Sequence, residues 1–327
     1  MTSLLDLQNP GEPEGLRFDA PVPPGGYAWW YLDVVSDDRA FVLTVIALVG
    51  SAFSPRYARA RALGPAAAED FCAVNVALRG PGVSAWVMTE WPRARVRRDA
   101  HRLRIGASEW LQQERGLALS LDELTAPFPR LRRRPLSGLV VLTPLAAGGS
   151  PRALDAHARH RWYPLAPVAR AVVDIDVGRG VRFAGTAYHD ANAGDDPLAN
   201  GFRRWSWSRL SGPADTIVSW DLEARHGAPA HFASRFGADG EAAALAGPLR
   251  HLPRTGWGLR PRARWPGAVE PVRRLESAPF YARHLVQART DPDRVARVGV
   301  HEELDLERFR AGWVRGLLPF RVRRERA

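Results

Sequence analysis

The stretch Val173-Asp174-Ile175-Asp176-Val177-Gly178-Arg179-Gly180-Val181-Arg182-Phe183-Ala184-Gly185 decides how this chain is read. Val173, Ile175 and Val177 alternate with Asp174 and Asp176, the period-two pattern of a strand with one face on a core. Gly178-Arg179-Gly180 supplies a tight turn, and Val181, Phe183 and Gly185 lead back antiparallel. The same signature recurs outward in both directions. Upstream, Leu117, Leu119 and Leu121 alternate with small or polar neighbours, and Cys72 to Leu78 meets Val83 to Trp91 across Gly80-Pro81-Gly82. Tyr27 to Val35 turns at Ser36-Asp37-Asp38 into an apolar strand from Ala40. Downstream, Val218, Trp220 and Leu222 face away from Ser219 and Asp221, and Phe232, Ser234 and Phe236 precede a turn at Gly237-Ala238-Asp239-Gly240. Many short strands without intervening helices predict an all-β fold of barrels or sandwiches, not βαβ units.

Helical spacing is convincing only near the end, where Leu306, Phe309, Trp313 and Leu317 predict one short helix that Pro319 stops. The acidic, glycine-containing loop from Asp195 to Phe202 separates two groups of strands. The expected organisation is an extended, peripheral segment over 1–24, a first β domain over 25–198 and a second over 199–327.

Apolar residues make up 46% and charged residues 25% of 327, the balance of a globular chain with room for one large core or two. A single cysteine, Cys72, excludes an internal disulfide framework and fits a reducing cytoplasm. The net charge of +11 comes from arginine alone, without one lysine. Apart from short clusters such as Arg132, Arg133 and Arg134, these arginines are dispersed. That argues against nucleic acid and for an anionic membrane surface as the more natural partner, with the arginine-rich end (Arg321, Arg323, Arg324, Arg326) the candidate contact. No apolar leader precedes the acidic Asp6, Glu12 and Glu14, and the greasiest run, Ala40 to Val49, falls well short of the ~20 residues a membrane-spanning helix needs. The expected location is therefore cytoplasmic, with peripheral contact to the inner or photosynthetic membrane.

The densest polar cluster holds His157, His160, Trp162, Tyr163 and Pro164, then Tyr188, His189, Asp190, Asn192, Asp195 and Asp196. The decisive hairpin separates these two segments, so both belong at one end of a β unit. Three chemistries remain open on the residues alone. Metal hydrolysis would use His157, His160 and Asp190, although the spacing matches no strong signature. Glycoside cleavage would use carboxylates such as Glu90 and Glu123 beside some of the twelve tryptophans. Acid-catalysed chemistry on an apolar alkene would need an aromatic-lined pocket and a protonated carboxylic acid. Nucleotide and serine-nucleophile motifs (GxGxxG, Walker loop, GxSxG) are absent.

With these residues in view, the chain resembles the carotenoid 1,2-hydratases, or hydroxyneurosporene synthases. The likeness lies in GGYAWWYLDVVSDD (25–38), AFVLTVIALVGSAFSPRYARAR (40–61), CAVNVAL with VMTE (72–90) and DELTAP (122–127). It continues in HRWYPLAP (160–167), AYHDANAGDDPL (187–198), FRRWSWSR (202–209), PFYARHLV (279–286) and HEELDLERF (301–309). The resemblance implies a lipocalin-like pair of β domains and a cofactor-free hydro-lyase. Its substrates would be water and a lycopene- or neurosporene-type carotenoid, hydrated at C1–C2. It also implies catalytic roles for His160 and Trp162 of an H-x-W motif and for Tyr188 and Asp190 of a Y-x-D motif. Asp190 is the expected proton donor, with His160 sharing its proton or deprotonating water. Trp29, Trp30 and Tyr31 are expected in the wall of the substrate pocket. An isoprenoid cyclase or isomerase, or a non-catalytic carotenoid-binding protein, are the competing readings.

Overall fold

The computed structural model describes residues 15–127, 132–244, 247–289 and 295–325. Its first sheet contains β1 (Tyr27–Ser36), β2 (Val42–Val49), β3 (Cys72–Gly80), β4 (Val83–Trp91), β5 (Val96–Arg98) and β6 (Arg102–Ile105). β7 (Ser108–Gln113), β8 (Gly116–Leu124), β9 (Pro135–Pro144), β10 (Arg152–Ala153), β11 (His160–Asp176) and β12 (Gly180–Gly194) continue it. The strand order is β4-β3-β2-β1-β12-β11-β9-β8-β7-β6-β5, with β10 beside β11. The sheet curls until the Ala126 amide, just past β8, donates to the Trp86 carbonyl of β4 at 2.7 Å. Gly138 shows how tightly β9 crosses β11. Its φ is +153°, and an added Cβ would sit 2.1 Å from the Asp174 carbonyl oxygen, so only glycine fits.

The second sheet contains β13 (Phe202–Ser211), β14 (Thr216–Ala224), β15 (Ala230–Gly237) and β16 (Gly240–Ala244). A two-stranded ribbon, β17 (Leu249–His251) with β18 (Arg262–Arg264), precedes β19 (Val269–Ser277), β20 (Tyr281–Arg289) and β21 (Ala296–Asp305). Here the order is β16-β15-β14-β13-β21-β20-β19. The fold is thus nearly all β, and the decisive hairpin pairs Val173 with Phe183 and Ile175 with Val181.

Period-two alternation creates two cores from one sheet. Along β1, Trp30, Leu32 and Val34 enter the core inside the curl, while Tyr27, Tyr31 and Val35 join a core between the two sheets. The sheets are pinned by a fully buried ion pair: Arg209 of β13 donates through Nε to Asp33 Oδ1 of β1 at 2.8 Å. The Tyr31 hydroxyl donates to the other Asp33 oxygen at 2.9 Å.

The helical expectation changes, and both ends of the described chain are tied to the first sheet. The peripheral segment, of which 1–14 lies outside the described residues, is tied down over its remainder. Phe18 is buried in the first core, and Arg98 NH1 donates to the carbonyls of Phe18 and Ala20. The single C-terminal helix is two short ones, Leu306–Arg310 and Gly312–Leu317, separated by the extended Ala311. That break shifts the helical phase, so Val314 and Leu318 turn inward while Trp313 and Leu317 are exposed. Finally, the chain changes sheets between Gly194 and Phe202, yet its end returns: β22 (Arg323–Arg324) pairs parallel with β4 in the first sheet.

Candidate active site

The long hairpin β11–β12 presents one face to the second sheet. Residues at even positions, His160 and Trp162 on β11 with Tyr188 and Asp190 on β12, share that face, because side chains two apart lie on the same side. All four are buried. Tyr27 and Tyr31 on β1 lie on the same side, Tyr31 directly opposite Asp190 in the ladder.

Asp190 receives two hydrogen bonds on one oxygen. Trp162 Nε1 donates to Oδ2 at 2.8 Å and the Tyr188 hydroxyl donates to the same atom at 2.7 Å. Oδ1 is buried and meets no hydrogen-bonding group among the described residues. Burial pushes the carboxyl up to about 8, the two hydrogen bonds oppose that rise, and the charges of Glu302 and Asp33 add to it. At neutral pH the group is therefore mainly a carboxylic acid, with Oδ1 the oxygen left to carry the proton.

Aromatic rings enclose this acid. Trp162 meets Trp220 edge-on at 5.7 Å, and Tyr188 lies 5.3 Å from Trp207, between ring centroids. Burial raises the Tyr188 hydroxyl well above its ordinary range, so it stays protonated and can donate.

His160 stands apart from the carboxyl group. Its Nδ1 lies 2.9 Å from the Tyr27 hydroxyl, and its ring packs 4.9 Å from Phe202. Burial lowers its pKa, with Asp155 opposing, so the ring is neutral near pH 7. An added Cβ at Gly201 would sit 2.5 Å from His160 Nε2, which shows how closely the inter-sheet loop packs on the imidazole. His189, between Tyr188 and Asp190, faces the opposite way. Its Nδ1 lies 2.7 Å from the Tyr31 carbonyl oxygen, and burial lowers its pKa to about 4. Among the described residues no group of three or more His, Cys, Asp or Glu side chains is placed to hold a metal ion.

A cavity of about 660 Å³ opens between β1–β4 and β19–β21. Trp29 and Tyr31 line it, with Ile46, Leu48, Met88 and Phe280 among the apolar wall. Trp30 does not: strand alternation sends it into the first core, where its Nε1 donates to the Leu16 carbonyl at 2.9 Å. Asp190 is not itself on the cavity wall. The Tyr31 ring stands next to it, lining the cavity on one side and meeting Tyr188 edge-on at 6.2 Å on the other.

Sequence reading missed two groups of residues. Tyr27 was not singled out, although it shares the alternation of Tyr31. Glu302 and Arg283 were overlooked within the stretches 279–286 and 301–309. The available signal was a carboxylate at the centre of the apolar series Val300, Glu302, Leu304 on one strand face.

The sequence matches the family model described as Carotenoid hydratase CrtC over residues 45–327. It is 40% identical over 314 residues to the acyclic carotenoid 1,2-hydratase of Thiocapsa roseopersicina, covering 95% of this chain and 76% of that one. It is also 40% identical over 318 residues to the enzyme of the same name from Rubrivivax gelatinosus, covering 94% and 76%. Among solved structures, a Nitrosomonas europaea protein described as AttH aligns with a TM-score of 0.63 at 14% identity, covering 91% of this chain and 98% of that one. Kievitone hydratase from Nectria haematococca aligns at 0.50 and 9% identity, covering 90% and 98%; both show likeness of fold.

Proposed function

The chain belongs to the carotenoid hydratase CrtC family, and from that premise we propose that it adds water across the terminal C1–C2 double bond of an acyclic carotenoid of the lycopene or neurosporene type, with Asp190 as the acid. An isolated trisubstituted alkene is a very weak base, so protonation at C2 is the difficult step. It leaves a tertiary cation at C1 that water captures.

One observation carries the assignment: Asp190 has one oxygen saturated by two donors and the other bare, in a site that keeps the group un-ionised. When Oδ1 gives up its proton, the new carboxylate is already solvated by Trp162 and Tyr188. Both donors then bind the charged form more strongly than the neutral one, which lowers the barrier. Their ring faces add attraction for the cation, worth about 1–2 kcal/mol when desolvated. Tyr31 controls access between the cavity and the acid. His160 is a positioning residue, acting through Tyr27 and through the strand that carries Trp162.

The substrate dissolves in lipid, so the cavity mouth faces a membrane. Among the described residues no helix is long and apolar enough to cross a bilayer. Leu318 and Val322 line the cavity, while Trp313, Leu317 and Phe320 of the same segment are 57%, 41% and 80% exposed beside the exposed Arg310 and Arg315. An apolar and cationic surface of this kind suits anionic headgroups.

The deciding experiment incubates purified protein with lycopene in liposomes made with ¹⁸O-labelled water. A tertiary alcohol carrying the label is expected. A product of unchanged mass would indicate isomerisation or cyclisation instead, and bound, unaltered pigment would indicate a carrier.

A further inference from the structure

The cavity wall on β20 and β21 carries a second polar cluster, separate from the two hydrogen bonds on Asp190. Arg283 and Glu302 lie directly opposite in the ladder, and Arg283 Nε donates to Glu302 Oε1 at 2.8 Å. Arg283 NH1 also donates to Glu276 Oε1 at 2.7 Å, while Trp86 Nε1 donates to the other Glu276 oxygen at 3.0 Å. Tyr31, Glu276, Tyr281, Arg283 and Glu302 all line the same cavity. The Tyr281 hydroxyl is buried beside the Glu302 carboxyl.

A pocket for a hydrocarbon gains nothing from buried charge, which costs stability unless it is fully compensated. The cluster therefore calls for a task, and the hydrocarbon's co-substrate is water. Its position fits. Trp207 faces Glu302 across β13 and β21, and its ring meets those of Tyr31 and Tyr188 at 5.3 Å each. Tyr31 in turn lies opposite Asp190. The two carboxyl groups thus flank the same aromatic wall in contrasting surroundings. Asp190 has only neutral donors, and Glu302 has a guanidinium in contact.

We propose that Glu302, held by Arg283 and assisted by the Tyr281 hydroxyl, binds the attacking water and takes its proton. The proposal rests on the reading of Asp190 as the acid. In the full step, the C1–C2 π pair forms the new C2–H bond with the Asp190 proton, leaving a carboxylate and a cation at C1. A water lone pair forms the C1–O bond, and one O–H pair returns to oxygen as the proton passes to Glu302. After product release, a water molecule passing Tyr31 carries that proton from Glu302 back to Asp190, so alkene plus water gives alcohol with nothing left over. Burial raises the Glu302 carboxyl above its ordinary range, and the Arg283 guanidinium opposes the rise.

The test compares wild type, Glu302→Gln and Asp190→Asn with lycopene in phosphatidylcholine vesicles prepared in D2O. Two quantities are read by mass: alcohol formed, and deuterium in the recovered carotenoid. Glu302→Gln is expected to lose at least 100-fold in alcohol while deuterium still enters unreacted lycopene, because protonation at C2 reverses when capture fails. Asp190→Asn is expected to show neither. Glu302→Asp should recover a tenth or more of the hydration. Alcohol formation by Glu302→Gln within threefold of wild type overturns the proposal, as does loss of exchange together with hydration in a folded variant. Because Gln leaves Arg283 with one counter-charge fewer, the double variant Arg283→Gln/Glu302→Gln supplies the same readout if the single one does not fold. If the wild type makes no alcohol, the hydratase reading itself fails, and that is a separate result.

Discussion

Asp190 receives both of its hydrogen bonds on a single oxygen, and the consequences can be measured one side chain at a time. Asp190→Asn should reduce hydration by about 10²–10⁴-fold, the usual weight of a proton donor, with pigment binding retained; normal turnover in that variant would remove the acid from its role. Wild-type turnover should fall as pH rises through about 8, where Asp190 ionises. Stability follows the same group. Its pKa is raised in the folded state from the ordinary 3.8 to about 8, so the native chain holds a proton that the unfolded chain has released between these values. The stabilisation is complete below about pH 4 and is lost as pH climbs through about 8. Asn cannot ionise, so calorimetry should show its melting point gaining on wild type between pH 5 and pH 9. Trp162→Phe keeps a ring but loses the donor to Oδ2, and Trp162→Ala loses both. Turnover should therefore rank wild type, Phe, Ala, and the upper limb of the pH profile should move to higher pH in both variants.

Among the strands, β1 carries the most consequence, since its two faces serve different cores and its Asp33 is bound across the sheet interface. Arg209→Met should destabilise by about 3–5 kcal/mol in urea melts, because the Asp33 carboxylate stays buried without its counter-ion. Asp33→Leu combined with Arg209→Met should recover most of the loss; equal costs for the single and double variants would contradict this account. The strands themselves were legible in sequence because alternation and glycine turns are local signals, and 173–185 form the hairpin they predict. The even-numbered face of β11 and β12 was legible too, once the motifs H-x-W and Y-x-D were placed on paired strands. What could not be read was decided by partners far along the chain. Trp30 sits between two pocket residues and still faces the other core. His160 meets Tyr27, 133 residues away. The helical stripe from Leu306 to Leu317 was broken by the conformation of Ala311, which side-chain spacing does not encode.

For the whole molecule, the proposed membrane contact can be tested at the C-terminal segment that lines the cavity. Trp313→Ser with Phe320→Ser should weaken co-sedimentation with anionic vesicles at least tenfold, and raised salt should weaken wild-type binding through the arginines. Hydration of detergent-dispersed lycopene should change little in that variant. Vesicle binding equal to wild type would place the membrane contact elsewhere.

The return of β22 to β4 also bears on biosynthesis. A ribosome delivers the first sheet long before the two residues that pair with Thr89 and Glu90, so that part of β4 must wait as an open edge while the second sheet is translated. The segment that lines the cavity through Leu318 and Val322 arrives at the same late moment. Nascent chains stalled earlier should consequently be prone to edge pairing and should hold no pigment.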